Sequence, residues 1–195
     1  MDLVLGPVSA RVILLTGPSG SGKTSLLRRV GAKRLKLDDF YRDGDEPGMP
    51  LLDGSLSGED GVGRDEAMSA VDWDHPASWD AERAMLAIRE LCREGRTRVP
   101  VYSIPDNATV DYSSLDIGTA EAFVAEGIFA AQLIAPLREL GLLADAIVLQ
   151  RPTPVVFTLR LFRDLREGRK PPLTLLRRGW GLARDQRGDL ERWKI

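Results

Sequence analysis

Gly17, Gly22, Lys23 and Thr24 stand at the spacing G-x-x-x-x-G-K-[ST], inside "ILLTGPSGSGKTSLLRRVG". Those types at that spacing suit one task, holding a polyphosphate. Gly17, Gly20 and Gly22 let the backbone turn tightly and aim N–H groups at phosphate oxygens. A helix opening after the turn adds its positive dipole end. Lys23 would reach the β- and γ-phosphates, and Thr24 would offer its hydroxyl to Mg²⁺. The whole stretch of Gly17, Pro18, Ser19, Gly20, Ser21, Gly22, Lys23, Thr24 and Ser25 is therefore the candidate binding segment for ATP and Mg²⁺. The competing reading is a glycine-rich turn with a stray lysine. An apolar strand before it and a helical pattern after it favour the phosphate loop.

A phosphate loop does not say what becomes of the phosphate. Transfer to a small alcohol needs an acid near the acceptor hydroxyl, a group on the metal side and cations over the transferring phosphoryl. Asp38 and Asp39 follow the apolar "RLKL", Glu126 follows "AFVA", and Asp74 lies in "VDWDHP". The adjacent acids also fit a simple turn or cap. Glu126 ends an apolar run, where a carboxylate needs a partner, or it is a partly exposed strand-end acid. His75 is the sole histidine, so a histidine-rich metal site is excluded; alone it reads as a structural donor. Arg160, Arg163 and Arg166 recur every three residues, with Arg169 three further on. On a helix the first three share roughly one face. They read either as a basic lid closing over ATP or as a solvated face pairing with Asp164 and Glu167.

These groups have to be positioned by elements. Apolar runs at "RVILLTG", "RLKLDDFY", "RVPVYSI", "AEAFVAEG" and "ADAIVLQ" predict five strands separated by helical patterns. Strands apolar on both faces imply a parallel sheet covered by helices on both sides. The expected fold is thus α/β, a P-loop NTPase fold with a five-stranded parallel sheet and a helical lid over about 156–175. In "ASWDAERAMLAIRELCREG" Ser78 is the expected N-cap; Ala81, Met85, Ile88 and Cys92 share a face, and Gly95 ends the helix. "FAAQLIAPLREL" reads as helical, with Pro136 kinking or dividing it. The glycine- and aspartate-rich stretch 43–72 reads as a long loop or flexible hairpin. At 195 residues, a single domain is expected.

Net charge is −2, which argues against a nucleic-acid footprint for the chain as a whole. From Arg151 onward there are 12 Lys and Arg against 5 Asp and Glu, whereas the first 150 residues hold 15 and 24. An acidic body with a basic C-terminal quarter fits an anion-binding segment, and equally a set of solvated helix faces. No apolar run approaches a membrane span, and "MDLVLGPVSARVILL" does not read as a signal peptide. The single cysteine, Cys92, fits a reducing cytoplasm.

In order, "GPSGSGKTS", "DDFYR", "VDWDHPASWD", "VPVYSI", "FVAEGIF" and "LRLFRDLREGR" resemble the motifs of the uridine kinases, within the uridine kinase/phosphoribulokinase group of P-loop kinases. The resemblance covers about residues 11–170. It implies Mg-ATP as phosphoryl donor and a nucleoside as the small-molecule acceptor, with no nucleic-acid or membrane partner and with homo-oligomers common. Asp38 takes the place of the catalytic base and Asp39 that of a serine. Asp74 would hold the ribose hydroxyls, and Tyr102 and Tyr41 would line the acceptor pocket. Glu126 takes the metal side. Arg160 and Arg163 would act on the phosphoryl, and Arg169 would contact ATP. The chain departs from the pattern in three places. Asn107 stands where the family reads the pyrimidine edge with histidine, Ile104 where phenylalanine packs the base, and Val156 where an earlier lid arginine is expected. The phosphoryl-transfer motifs are retained and the base-reading ones altered, so other acceptors also fit: a sugar phosphate or a pantothenate-like alcohol. An ATP-dependent switch without an acceptor is the alternative of a different class.

Overall fold

The computed structural model describes residues 8–17 and 21–149. The expected lid, with Arg160, Arg163 and Arg169, and the loop residues Pro18, Ser19 and Gly20 lie outside the described residues.

Four of the five expected strands form one parallel sheet: β1 (Arg11–Thr16), β2 (Arg34–Lys36), β5 (Ala122–Glu126) and β6 (Leu143–Val148), in the order β2-β5-β1-β6. The central strands β1 and β5 run apolar because they are buried between neighbours, and parallel neighbours need crossovers between them. Helix α1 (Lys23–Val30) carries the chain from β1 to β2. Helix α4 (Ile134–Glu139) lies between β5 and β6. The sheet is covered on both sides. Val12, Leu14, Phe123 and Ala125 face a large core containing Ala84, Ile88 and Leu91 of α3 (Ala81–Glu94) and Leu137 of α4. Leu15 and Val124 face the opposite way, onto Leu27 of α1.

The fifth expected strand is placed differently. "RVPVYSI" lies within β3 (Arg96–Ser103), which leaves the sheet and pairs antiparallel with β4 (Ala108–Asp116). Nothing in the sequence pattern announced β4, because most of its residues are exposed and it lacks a buried apolar face. Among the described residues the parallel sheet is therefore four-stranded.

Three smaller corrections have local causes. Helix α3 is capped by Asp80, whose side chain accepts from the Arg83 N–H at 2.8 Å. Ser78 instead closes a short 3₁₀ turn, Pro76–Ser78, where its hydroxyl donates to the His75 carbonyl at 2.7 Å. The stretch 43–72 is not a bare loop: it contains α2 (Arg64–Ala70) and a small core of Met49, Ala67 and Val71. The helical stretch is divided, but before Pro136 rather than at it: a 3₁₀ turn, Ala130–Leu133, precedes α4, and Pro136 sits in the first turn of α4, where its missing N–H would have had no helical partner. The helix ends at Gly31 and Gly95 fall where expected.

Trp79 fastens the site side of the core. It is 4 % exposed, stacks tilted on Phe129 at 5.7 Å, and its indole N–H donates to the Leu37 carbonyl at 2.8 Å. Trp79→Phe keeps most of the apolar contact and strands that carbonyl without a donor. Urea denaturation should show a loss of about 1–3 kcal/mol, the cost of an unsatisfied buried polar group. Cys92 is wholly buried in the same core, and burial pushes its thiol up to about 11. A maleimide at pH 8 should label it in the unfolded chain and leave it untouched in the native one.

Candidate active site

Register places the site. Leu15 of β1 and Lys36 of β2 both stand opposite Glu126 of β5, so three strands deliver their carboxyl ends to one edge. The phosphate loop leaves β1 at that edge, where open parallel sheets bind ligands.

Gly17 begins the loop at φ 145°, a conformation L-residues rarely adopt, and a Cβ there would come within 2.6 Å of the Leu149 carbonyl oxygen. The glycine lets β6 and the loop close on each other. Ser21 is wholly buried, and its hydroxyl has no hydrogen-bond partner. An orphaned buried hydroxyl in a turn aimed at a helix N-terminus suits a phosphate oxygen. Lys23, the first residue of α1, is 7 % exposed, and its ammonium donates to the Gly17 carbonyl at 2.7 Å, folded back over the loop. Ser25 is exposed on α1.

Glu126, at the end of β5, is only 5 % exposed. The Thr24 hydroxyl donates to its Oε1 at 3.0 Å, and Arg34 Nη1 donates to the same oxygen at 3.2 Å. The reading of Glu126 as a half-exposed strand-end acid is thereby set aside. Thr24 keeps a lone pair for a cation while its proton is held by Glu126. These groups fit Mg²⁺ carried in by a nucleotide, which binds through few protein ligands. Among the described residues no group of three or more His, Cys, Asp or Glu could hold a metal by itself.

Asp38 follows β2 in a 3₁₀ turn, Leu37–Phe40. Its Oδ1 accepts the Ile128 N–H at 3.2 Å, which fixes it two residues past Glu126. The approach requires Gly127: a Cβ there would lie 2.8 Å from the Leu37 Cβ and 2.9 Å from the Asp38 Oδ1. Asp39 pairs with Lys36 instead. Burial pushes its carboxyl above the ordinary range, and Lys36 and then Arg34 pull it back.

The acceptor side is aromatic. Tyr41 meets Trp73 edge-on at 5.7 Å, Tyr102 at 5.8 Å and Phe129 at 6.0 Å, and Trp73 meets Tyr102 at 6.4 Å. The Tyr41 hydroxyl donates to the Trp73 carbonyl at 3.1 Å and that of Tyr102 to the Arg42 carbonyl at 3.4 Å. Burial, then the nearby Asp43, Glu46 and Asp45, raise the Tyr102 phenol far above its usual range, so it stays neutral.

One expected site residue is engaged elsewhere. Asn107 is 3 % exposed, at φ 49° in the β3–β4 turn, and its amide donates to the Arg64 carbonyl at 3.0 Å. It ties the hairpin to α2 rather than presenting an edge to a ligand. His75 accepts the Ala77 N–H at Nδ1 rather than donating. Asp74 is exposed; its own N–H donates to Asp72 at 3.2 Å, and no contact joins its carboxylate to Asp38 or Glu126. Ile104 is 39 % exposed. Sequence reasoning missed Arg34, an ordinary surface arginine by pattern, and Phe129, whose spacing carries no site signal.

Sheet and loop motif define the fold class: the chain has a P-loop NTPase fold. A candidate fructose transport system kinase from Silicibacter sp. TM1040 superposes over 92 % of this chain and 82 % of its own, with TM-score 0.61 and 18 % identity. Within the class, sequence similarity runs to the uridine kinases. That of Ureaplasma parvum serovar 3 is 23 % identical over 166 residues, 80 % of this chain and 70 % of that protein. That of Leuconostoc citreum is 27 % identical over 165 residues, 80 % and 69 %. That of Saccharomyces cerevisiae is 29 % identical over 162 residues, 79 % of this chain but 29 % of the much longer yeast protein. The resemblance to the uridine kinase group carried by the motifs is thus matched along four-fifths of the chain. No family model matches.

Gly127→Ala should separate Asp38 from the Ile128 amide. Phosphoryl transfer should fall about 10–100-fold, the effect of displacing a positioned group by about 1 Å, while affinity for a fluorescent ATP analogue holds.

Proposed function

We propose that the chain transfers the γ-phosphoryl of ATP to the 5′-hydroxyl of a ribonucleoside. The observation that carries this reading is Asp38, pinned through Oδ1 to the Ile128 amide at the strand edge that also holds the Thr24–Glu126 pair. A switch that only binds and releases nucleotide has no use for a carboxylate fixed there.

The roles follow from placement. Mg²⁺, when bound with ATP, would neutralise the phosphates. Thr24 and Glu126 would hold its shell, and Ser21 and the loop amides would take phosphate oxygens. Lys23 would release the Gly17 carbonyl and turn to the β- and γ-phosphates. Asp38, fixed by one oxygen, would accept the acceptor's hydroxyl proton with the other. Arg160 and Arg163 are assigned to the transferring phosphoryl, and Arg169 to ATP, on sequence spacing alone. Asp74, on the turn after Trp73, would take the ribose diol.

The acceptor class is argued from the aromatic side. Tyr41, Trp73 and Tyr102 offer rings suited to a flat, neutral base. Arg42, the neighbouring cation, has its guanidinium bonded to Glu46 and to the carbonyls of Pro47, Gly48 and Ala77, so it is not available to an acceptor phosphate. The second reading is a non-nucleoside alcohol. It is favoured by one feature: Asn107 is occupied and Ile104 exposed, leaving the base edge without the family's readers. With ATP as donor and a buried reduced thiol at Cys92, the reading places the protein in the cytoplasm.

ADP release from Mg-ATP should rise with one or two of uridine, cytidine, adenosine and guanosine. It should stay at the no-acceptor rate with ribose, ribulose 5-phosphate and pantothenate. The reverse pattern would move the acceptor and keep the mechanism. Asp38→Asn should lower turnover by about 10²–10⁴-fold and leave nucleotide affinity unchanged. Normal turnover in that variant would remove Asp38 from the chemistry.

A further inference from the structure

Glu126 and Arg34 differ in one decisive respect. The Glu126 side chain is 6 % exposed and that of Arg34 is 31 % exposed. The acid cannot leave its place, and the base can. Arg34 lies on β2, an edge strand of three residues, and reaches Glu126 from a position two residues before Lys36, which stands opposite it. Its Nη1 and the Thr24 hydroxyl both fall on Oε1.

A buried carboxylate without a counter-charge is costly enough that it would protonate or move. Thr24 supplies a hydrogen bond but no charge. Arg34 supplies the charge. We propose that Arg34 is the resident counter-ion of Glu126: it holds the carboxylate proposed for the metal side in place before nucleotide arrives, and its competition with Mg²⁺ sets how much Mg²⁺ the nucleotide site requires. Lys36 does not take over this role, because it is paired with Asp39. When Mg²⁺ enters with ATP, the guanidinium yields part of its hold on Oε1 and turns toward solvent at the sheet edge.

The inference rests on the phosphate-loop half of the proposed function and not on the acceptor. Its test therefore measures binding rather than turnover. A fluorescent ATP analogue is titrated with Mg²⁺ in the wild type and in Arg34→Gln and Arg34→Lys. The Mg²⁺ midpoint should fall about fivefold in Arg34→Gln, the scale of one partly exposed charge pair. Arg34→Lys, which keeps the charge but shortens the reach, should lie between. In the Glu126→Gln background, adding Arg34→Gln should shift the midpoint no further. Ligand-free Arg34→Gln should also melt below the wild type, with the gap closing at saturating Mg²⁺ and nucleotide. A midpoint unchanged or raised in both Arg34 variants overturns the proposal, and if Arg34→Gln does not fold, Arg34→Lys decides. A flat nucleoside panel alongside a shifted midpoint would sink the acceptor reading alone. Wild-type protein that binds no nucleotide at any Mg²⁺ concentration would sink the phosphate loop itself, and this proposal with it.

Discussion

One buried carboxylate organises the molecule. Glu126 ends the second strand of the sheet at 5 % exposure, and an ion there must be met by partners or displaced. Its partners come from two further elements, Thr24 from α1 and Arg34 from β2. To satisfy Glu126 the chain has to bring the first helical turn of the phosphate loop and the edge strand to the same point. The parallel register makes this possible, because Leu15 and Lys36 both align with Glu126. The interaction that ties α1 and β2 to the end of β5 is thus the one that assembles the pair proposed for the metal.

The residue after Glu126 carries the second constraint. Gly127 lies against Leu37 and Asp38 so closely that no side chain fits. This lets Asp38 reach the Ile128 amide and puts two carboxylates, one for the metal side and one for the acceptor side, within two residues of each other along the β5 exit. They avoid direct conflict because each is bound by different donors: Glu126 by a hydroxyl and a guanidinium, Asp38 by a backbone N–H. The extra acid, Asp39, is taken out of the site by Lys36.

Legibility in the sequence followed locality. The phosphate loop was readable because its physics is local: glycine backbone, helix dipole and one lysine are all within eight positions. Strands β1 and β5 were readable because central burial leaves nearly unbroken apolar runs, and the edge strands β2 and β6 from the apolar residues in and beside them. The hairpin was not. β3 is as apolar as a sheet strand in "VPVY", yet pairs with the mostly exposed β4, and no periodicity in "ATVDYSSLD" marks it. Helix α2 was hidden among glycines, since seven residues with one buried position, Ala67, leave no amphipathic signature. Asn107 looked like a ligand reader because asparagine is polar and the resemblance put it there. Its left-handed turn and its bond to Arg64 make it a brace, and such a role depends on residues 43 positions away. Arg34 was invisible for the same reason, as its partner is 92 positions off.

The two halves of the candidate site are built from different material. The phosphoryl half stands on sheet ends and a helix start, held by Glu126, Lys23 and Gly17, where a small displacement would break several bonds at once. The half proposed for the acceptor draws on less of the sheet: the turn at Trp73–Asp74, the end of β3 carrying Tyr102, and the segment braced by Asn107. Its rings touch at 5.7–6.4 Å, and its polar groups are bonded mainly to nearby carbonyls. Chemistry fixed on rigid elements and specificity carried on loops is the division by which one fold accepts new substrates. In the proposed reading phosphoryl transfer rests on the sheet, and the choice of alcohol on rings that the parallel sheet does not hold.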